Sequence, residues 1–347
     1  MLGKEETIMR TAPLGKTGLT VTRTALGCLP LQRRTTPEAV ELIQAAYEAG
    51  ITLYDTARGY TDSEYKLGLA LEGIRDQVVI ATKTPSTTVD GIKRDLETSL
   101  NMLRTDYVDI YQFHNPAELP LDDSPLYRQM EEFKRQGMIR HVGLTNHSAD
   151  IALAAAESGL YETIQYPLSP LCTDRDLSVI ATCQRLNIGL LAMKALSGGL
   201  ITRAALSFAF LDRFDGVFPL WGIQHRWELE DIVALESDPP RMTEEIQQAI
   251  AELRRELSGD FCRGCGYCLP CPAGIPINMA ARMSLLLRRA PWQSYTTPQW
   301  QDNMARIDAC LDCGACESRC PYHLPTRKLL VKNLADYRSF VEAHCHD

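Results

Sequence analysis

Twelve cysteines in 347 residues are spread unevenly: nine lie beyond residue 260, and eight of these fall into two dense runs. The second run, Cys310-x2-Cys313-x2-Cys316-x3-Cys320-Pro321, has the spacing by which bacterial ferredoxins hold a 4Fe–4S cluster. The first, Cys262-x2-Cys265-x2-Cys268-x2-Cys271-Pro272, is one residue shorter before its last cysteine. Such spacing lets three thiolates of one looped segment reach one cubane, and Gly264, Gly266 and Gly314 permit the backbone turns. In two-cluster ferredoxins the fourth cysteine of each run ligates the other cluster. By that rule Cys262, Cys265, Cys268 and Cys320 hold one cluster and Cys310, Cys313, Cys316 and Cys271 the other, with the reach of Cys271 left open by its shorter spacing. Zinc is the competing reading, because four-cysteine zinc sites also use C-x2-C pairs. Zinc, however, spreads two pairs over an intervening loop, whereas here four cysteines crowd into about ten residues, twice.

The elements that precede these runs alternate regularly. Apolar, often β-branched runs at residues 24–27, 51–55, 78–83, 107–113, 140–144, 163–166, 188–193 and 216–221 read as strands. Helical patterns lie between and after them, near residues 36–50, 62–71, 90–104, 124–136, 148–158, 173–185, 202–213 and 225–236. In the first, Thr36 reads as N-cap and Pro37 as the first helical position, with Val40, Ile43 and Tyr47 on one face and Gly50 as the stop. Eight strand–helix units in about 240 residues predict an α/β chain built on a (β/α)8 TIM barrel. A doubly wound open sheet is the alternative, but no G-x-G-x-x-G follows the first strand. Turn signals at Gly15 and Gly18 predict a leading hairpin that plugs the barrel floor. A barrel places its chemistry at strand C-termini. Those positions hold Asp55, with Tyr60 in the loop beyond it, then Lys83 and His114.

At these residues the chain resembles the aldo-keto reductases. The matching stretches are Tyr54-Asp55-Thr56-Ala57-Arg58-Gly59-Tyr60, Ile80-Ala81-Thr82-Lys83, Asp106-Tyr107-Val108-Asp109-Ile110-Tyr111-Gln112-Phe113-His114 and the Leu14-Gly15-Lys16-Thr17-Gly18-Leu19 hairpin, and the likeness runs over residues 10–240. It implies a catalytic tetrad of Asp55, Tyr60, Lys83 and His114. Reduction of a carbonyl by hydride leaves an alkoxide that needs a proton. Tyr60 is the implied donor, Lys83 the ammonium that lowers the phenol's pKa, Asp55 the partner that holds Lys83, and His114 the group that orients the carbonyl. The resemblance also places Thr145, Asn146 and Gln165 on the nicotinamide carboxamide. Met193 stands where the family has a stacking tyrosine, with Lys194 beside it. The segment expected at the adenine ribose phosphate lacks the usual basic residue near Gln224 and has Ile232 in place of an asparagine. Arg226 either substitutes there or is a solvated helix-start charge. NADP(H) is the expected nicotinamide, with NAD and no nicotinamide as the alternatives.

The tail resembles helical dicluster ferredoxins, with helical patterns at residues 277–289 and 299–307 between the cysteine runs, and the whole resembles the iron–sulfur branch of the aldo-keto reductases. The implied division is a barrel over residues 1–240, then a linker helix and a 4Fe–4S dicluster domain with a C-terminal helix over 241–347. Two 4Fe–4S clusters are expected. Cys28, Cys172 and Cys183 read as lone cysteines, the last two as small buried hydrophobes, and His344-Cys345-His346 as a frayed end rather than a metal site. A formal charge of −8 argues against nucleic acid, which demands a basic face, and suits a redox protein partner with a basic surface. No apolar run approaches a membrane span and the first residues do not read as a signal peptide, so a cytoplasmic location is expected. These readings converge on an oxidoreductase that reduces a small carbonyl or oxidises an alcohol with NAD(P)H. Its clusters carry electrons singly, and no flavin motif mediates between the two kinds of chemistry. An electron-transfer or docking protein whose barrel has left nicotinamide chemistry, and clusters that are purely structural, are the competing readings.

Overall fold

The structure is a computed structural model that describes residues 9–257, 261–289, 292–320 and 322–344. Pro321, Cys345 and His346, each named above, lie outside the described residues. The chain divides into two compact units, one of residues 1–195 and 204–246, the other of residues 196–203 and 247–347. Among the described residues no helix is long and apolar enough to cross a membrane.

The first unit opens with an antiparallel hairpin of β1 (Thr11–Pro13) and β2 (Thr20–Thr22). Eight parallel strands then close into a barrel: β3 (Ala25–Gly27), β4 (Leu53–Asp55), β5 (Val79–Thr84), β6 (Val108–His114), β7 (Ile139–Thr145), β8 (Thr163–Pro167), β9 (Gly189–Met193) and β10 (Val217–Gly222), with β10 paired back onto β3. Helices α1 (Thr36–Glu48), α2 (Ser63–Ala70), α3 (Val89–Leu103), α4 (Pro125–Arg135), α5 (Ala149–Glu157), α6 (Asp174–Arg185), α7 (Ala204–Leu211) and α8 (Arg226–Ser237) follow the strands in turn. The N-cap of α1 is Thr35 rather than Thr36. The Glu38 carboxylate reaches back to accept from the Thr35 amide at 2.9 Å and its hydroxyl at 2.7 Å, and this sets the first turn one residue earlier.

The alternation of strand side chains carries the site. Leu53, Val79, Ala81, Ile110, Leu191, Phe218 and Leu220 form one buried cluster with Leu14 of the hairpin turn. The turn seats tightly at this end, because a Cβ on Gly15 would lie 2.2 Å from the Gly189 amide nitrogen. Two residues further along the same face, Leu53 gives way to Asp55, Ala81 to Lys83, Ile110 to Gln112, and Leu191 to Met193. The floor is therefore apolar and the opposite layer mainly polar. Gly143 matters to that layer: a Cβ there would meet the Thr163 hydroxyl at 2.3 Å and Gln112 Cγ at 2.9 Å.

The second unit contains most of α9 (Glu244–Glu256), then α10 (Ile277–Ala280), α11 (Met283–Arg289), α12 (Pro298–Ala305), α13 (Ala315–Ser318) and α14 (Thr326–His344). Its core is formed by Ile275, Ile277, Ala280, Met283, Leu286, Leu287, Met304, Ile307, Leu330, Leu334 and Tyr337. The single helix expected over residues 277–289 is interrupted after Ala280. There the Arg282 amide bonds Met279 O, and its side chain turns into the unit and is buried.

Candidate active site and cysteine-lined cavities

The tetrad residues come together at the polar end of the barrel. Lys83 Nζ donates to both Asp55 carboxylate oxygens at 2.7 Å and to the Thr56 carbonyl at 2.6 Å, with both side chains buried. The same ammonium lies 5.1 Å from the Tyr60 ring centroid, and the Tyr60 ring meets the His114 ring edge-on at 5.8 Å. The loop that carries Tyr60 is fixed from several sides. The Arg58 amide bonds Lys83 O at 3.0 Å, Thr56 Oγ1 donates to Ser63 Oγ at 3.0 Å, and Ser63 Oγ donates to Cys28 O at 3.1 Å. Buried Glu64 bonds both the Arg58 guanidinium and, at 2.6 Å, the hydroxyl of Thr82, the neighbour of Lys83.

Burial sets the protonation states here. Desolvation pushes the Tyr60 phenol up, and the charge and hydrogen bond of Lys83 oppose it without overcoming it. The Lys83 effect has the anticipated sign, and burial outweighs it. For Lys83, desolvation works against the ammonium, and the Asp55 and Tyr60 charges more than offset it, so its pKa is raised. Desolvation likewise pushes Asp55 up against the pull of Lys83. His114 is lowered to about 3 by burial and then by Lys83, so it is neutral at pH 7. Burial drives the Cys28 thiol well above its ordinary range, which leaves it protonated and a poor nucleophile.

The residues assigned to the nicotinamide are distributed differently. Gln165 is buried in the polar layer, where its Nε2 donates to Asp55 Oδ1 at 3.2 Å and its Oε1 accepts from Gln112 Nε2 at 2.9 Å. Gln112, not singled out from the sequence, also approaches Asp55 Oδ2 at 3.5 Å, and its own Oε1 is buried with no hydrogen-bond partner. The signal for it was available: Gln112 precedes His114 by two, so both face inward from β6. Thr145 Oγ1 lies 3.9 Å from Met193 Sδ. Asn146 donates to Pro116 O at 2.9 Å and accepts from the Ser148 amide at 2.8 Å. Lys194 has a left-handed backbone, with φ of +59°. Arg226 lies on the exposed face of α8, its Nε 3.1 Å from Glu230 Oε1.

In the second unit the two cysteine runs interleave around two cavities. Cys262, Cys265, Cys268 and Cys320 line one; Cys271, Cys310, Cys313 and Cys316 line the other, and Cys268 lines both. None of the eight forms a disulfide. Among the described residues no three His, Cys, Asp or Glu side chains are grouped so that they could hold a single metal ion. Burial pushes the thiols of Cys262 and Cys268 up, Cys268 to about 12, so thiolates there need a cationic partner. The Gly264 amide donates to Cys262 Sγ at 3.3 Å. Of the remaining cysteines, Cys183 is buried and Cys172 half-buried.

A profile of the Aldo/keto reductase family matches residues 25–213, and a profile of the 4Fe-4S dicluster domain matches residues 261–325. Aldo-keto reductase YhdN of Bacillus subtilis (strain 168) is 34% identical over 179 residues, 47% of this chain and 54% of that protein; the chain thus spans about half the length of that curated relative. A solved Pseudomonas aeruginosa structure assigned to the aldo-keto reductases is 26% identical, with a TM-score of 0.61, covering 68% of this chain and 98% of that one. An aldo-keto reductase from Klebsiella pneumoniae, solved in complex with NADPH, has a TM-score of 0.60 over 72% of this chain and 95% of that one; at 22% identity this is a likeness of fold.

Proposed function

The chain belongs to the aldo/keto reductase family and carries a 4Fe-4S dicluster domain behind the barrel, and from this we propose that it is an oxidoreductase whose barrel reduces a small carbonyl, or oxidises the corresponding alcohol, with a nicotinamide. The observation that carries this reading is the meeting of Asp55, Lys83, Tyr60 and His114 in one polar layer above an apolar barrel floor. A bound nicotinamide supplies the hydride. Tyr60, protonated because burial holds its pKa up, gives its proton to the oxygen that gains negative charge. Lys83, kept as an ammonium by Asp55, stabilises the phenolate left behind. Neutral His114 has one ring N–H with which to orient the substrate oxygen. In Tyr60→Phe, turnover should fall at least about 100-fold while nicotinamide affinity stays within about twofold, because the phenol acts in the transition state. Undiminished turnover in that variant overturns the assignment.

NADP(H) is the nicotinamide we assign, with Thr145, Asn146, Met193 and Lys194 as its contacts. Gln165, which also bonds Asp55, and Arg226, whose Nε pairs with Glu230, complete the assigned contacts. The barrel as a docking platform without nicotinamide is the second reading, favoured by the engagement of Gln165 with Asp55 and Gln112. Fluorescence titration separates the two, since a tight NADPH complex excludes the second.

For the dicluster domain we propose two 4Fe–4S clusters, held by Cys262, Cys265, Cys268 and Cys320 and by Cys271, Cys310, Cys313 and Cys316. The donor set fits: four cysteines line one cavity and five the other, Cys268 being common to both, and the grouping of Cys320 with the first run and Cys271 with the second supports the crossed ligation of two-cluster ferredoxins. Such clusters pass electrons one at a time, which points to a redox protein partner. The substrate is a small molecule.

A further inference from the structure

The two cysteine quartets sit in different electrostatic surroundings. The cavity of Cys262, Cys265, Cys268 and Cys320 has no carboxylate among the described residues that line it, and Arg263 is one of them. The Arg263 guanidinium stacks 4.3 Å over the Tyr322 ring and 5.7 Å from that of Phe261. A second guanidinium, Arg282, is buried against the same loop. Its Nη2 donates to Gly198 O at 2.9 Å, its Nε is buried with no hydrogen-bond partner, and its Nη1 packs so closely on Gly264 that a Cβ there would lie 2.4 Å away. Gly264 is two residues from Cys262 and donates its amide to that sulfur. The other cavity is lined by Asp312, Glu317 and Arg327, and Arg327 is already paired with Asp312.

We propose that Arg282, together with Arg263, raises the reduction potential of the cluster held by Cys262, Cys265, Cys268 and Cys320, so that an electron entering the dicluster domain comes to rest there. This rests on the dicluster reading above. Reduction adds one negative charge to the cluster, and a fixed cation nearby favours the reduced form. Burial works the other way, because a low-dielectric site penalises the more highly charged form, and Cys262 is buried whereas Cys313 is exposed. Burial lowers the Arg282 pKa from its ordinary value, but a guanidinium starts so high that it stays charged where a buried ammonium can lose its proton. The orphaned Nε shows that the protein's own hydrogen bonds do not use up this cation.

The test is an anaerobic redox titration of the full chain with dithionite, followed by electron paramagnetic resonance and visible absorbance. Cys265→Ser identifies which midpoint belongs to the first quartet. Arg282→Gln should lower that cluster's reduction equilibrium constant at least tenfold, which is about 59 mV for one electron, and leave the other midpoint in place. Arg263→Gln should shift the same midpoint in the same direction by less. Arg282→Lys, which keeps the charge but not the bond to Gly198, should stay within about twofold of the parent. Unchanged midpoints in both glutamine variants overturn the proposal, as do equal shifts for Arg282→Lys and Arg282→Gln at every pH between about 6 and 9, the signature of a purely structural clip. If Arg282→Gln assembles no cluster, the half-buried Arg263 decides alone: its glutamine variant must lower the midpoint. Iron and sulfide counts keep the two claims separate: a parent protein without either refutes the dicluster reading on which the proposal rests, whereas a loaded protein with unchanged midpoints refutes the proposal alone.

Discussion

Burial governs chemistry at the scale of single residues in the barrel mouth. His114 has a folded pKa of about 3 against an ordinary 6.5, so between those values the unfolded chain binds a proton that the folded chain does not. Stability therefore rises with pH across that window and is lost as pH falls through it. His114→Gln should flatten that part of the acid limb in denaturant titrations at stepped pH; an unchanged limb contradicts the neutral histidine. Gln112→Glu places a second carboxylate within 3.5 Å of Asp55. It should push Asp55 up further, weaken its hold on Lys83, and reduce kcat by at least about tenfold, a fall that steady-state rates will show. Asp55, Lys83 and His114 were legible as candidates because each of their strands changes from apolar to ionisable at its end; Tyr60, in the loop after Asp55, came from the resemblance. The net pKa of Tyr60 was not legible, since it depends on how much water the folded mouth excludes. Nor was the turn of Gln165 toward Asp55, which depends on Gln112, a neighbour two strands away around the barrel.

At the scale of elements, the period-2 alternation of the strands does most of the work, and it is sensitive to side-chain volume. Gly143→Ala brings a methyl within 2.3 Å of Thr163 Oγ1 and 2.9 Å of Gln112. Overpacking of this kind costs about 1–3 kcal/mol, and a lowered Tm in thermal denaturation should report it, along with a loss of activity as Gln112 is displaced. All eight barrel strands and the helices between them were legible from hydrophobic periodicity, because each unit buries one continuous face. The break at Ala281–Arg282 was not, because residues 277–289 keep a helical pattern straight through it. What interrupts the helix is the contact of Arg282 with Gly198 and Gly264, residues 84 and 18 positions away. The α1 cap moved by one for a similar local reason, since Glu38 captures Thr35.

At the scale of the whole molecule, charge is divided between the two parts of the chain. Residues 261–347 contain ten Lys and Arg against seven Asp and Glu, so the formal −8 arises entirely before them. Two clusters at about −2 each, counting their thiolates, bring that C-terminal stretch close to neutral. The acidity that suits a basic redox partner thus lies in the sequence before residue 261. Anaerobically purified protein should contain about eight iron and eight sulfide per chain. Dithionite should bleach its visible absorbance while NADPH alone does so slowly or not at all, because a two-electron hydride donor needs a converter to load one-electron clusters and the sequence carries no recognisable flavin motif. Rapid bleaching by NADPH contradicts that separation. The most direct test of the central claim lies in the barrel: NADPH oxidation by the anaerobic protein over a panel of small aldehydes and ketones, with Tyr60→Phe measured alongside. The account predicts turnover on at least one carbonyl class that falls at least about 100-fold in the variant with NADPH affinity preserved; equal rates in the two proteins would contradict it.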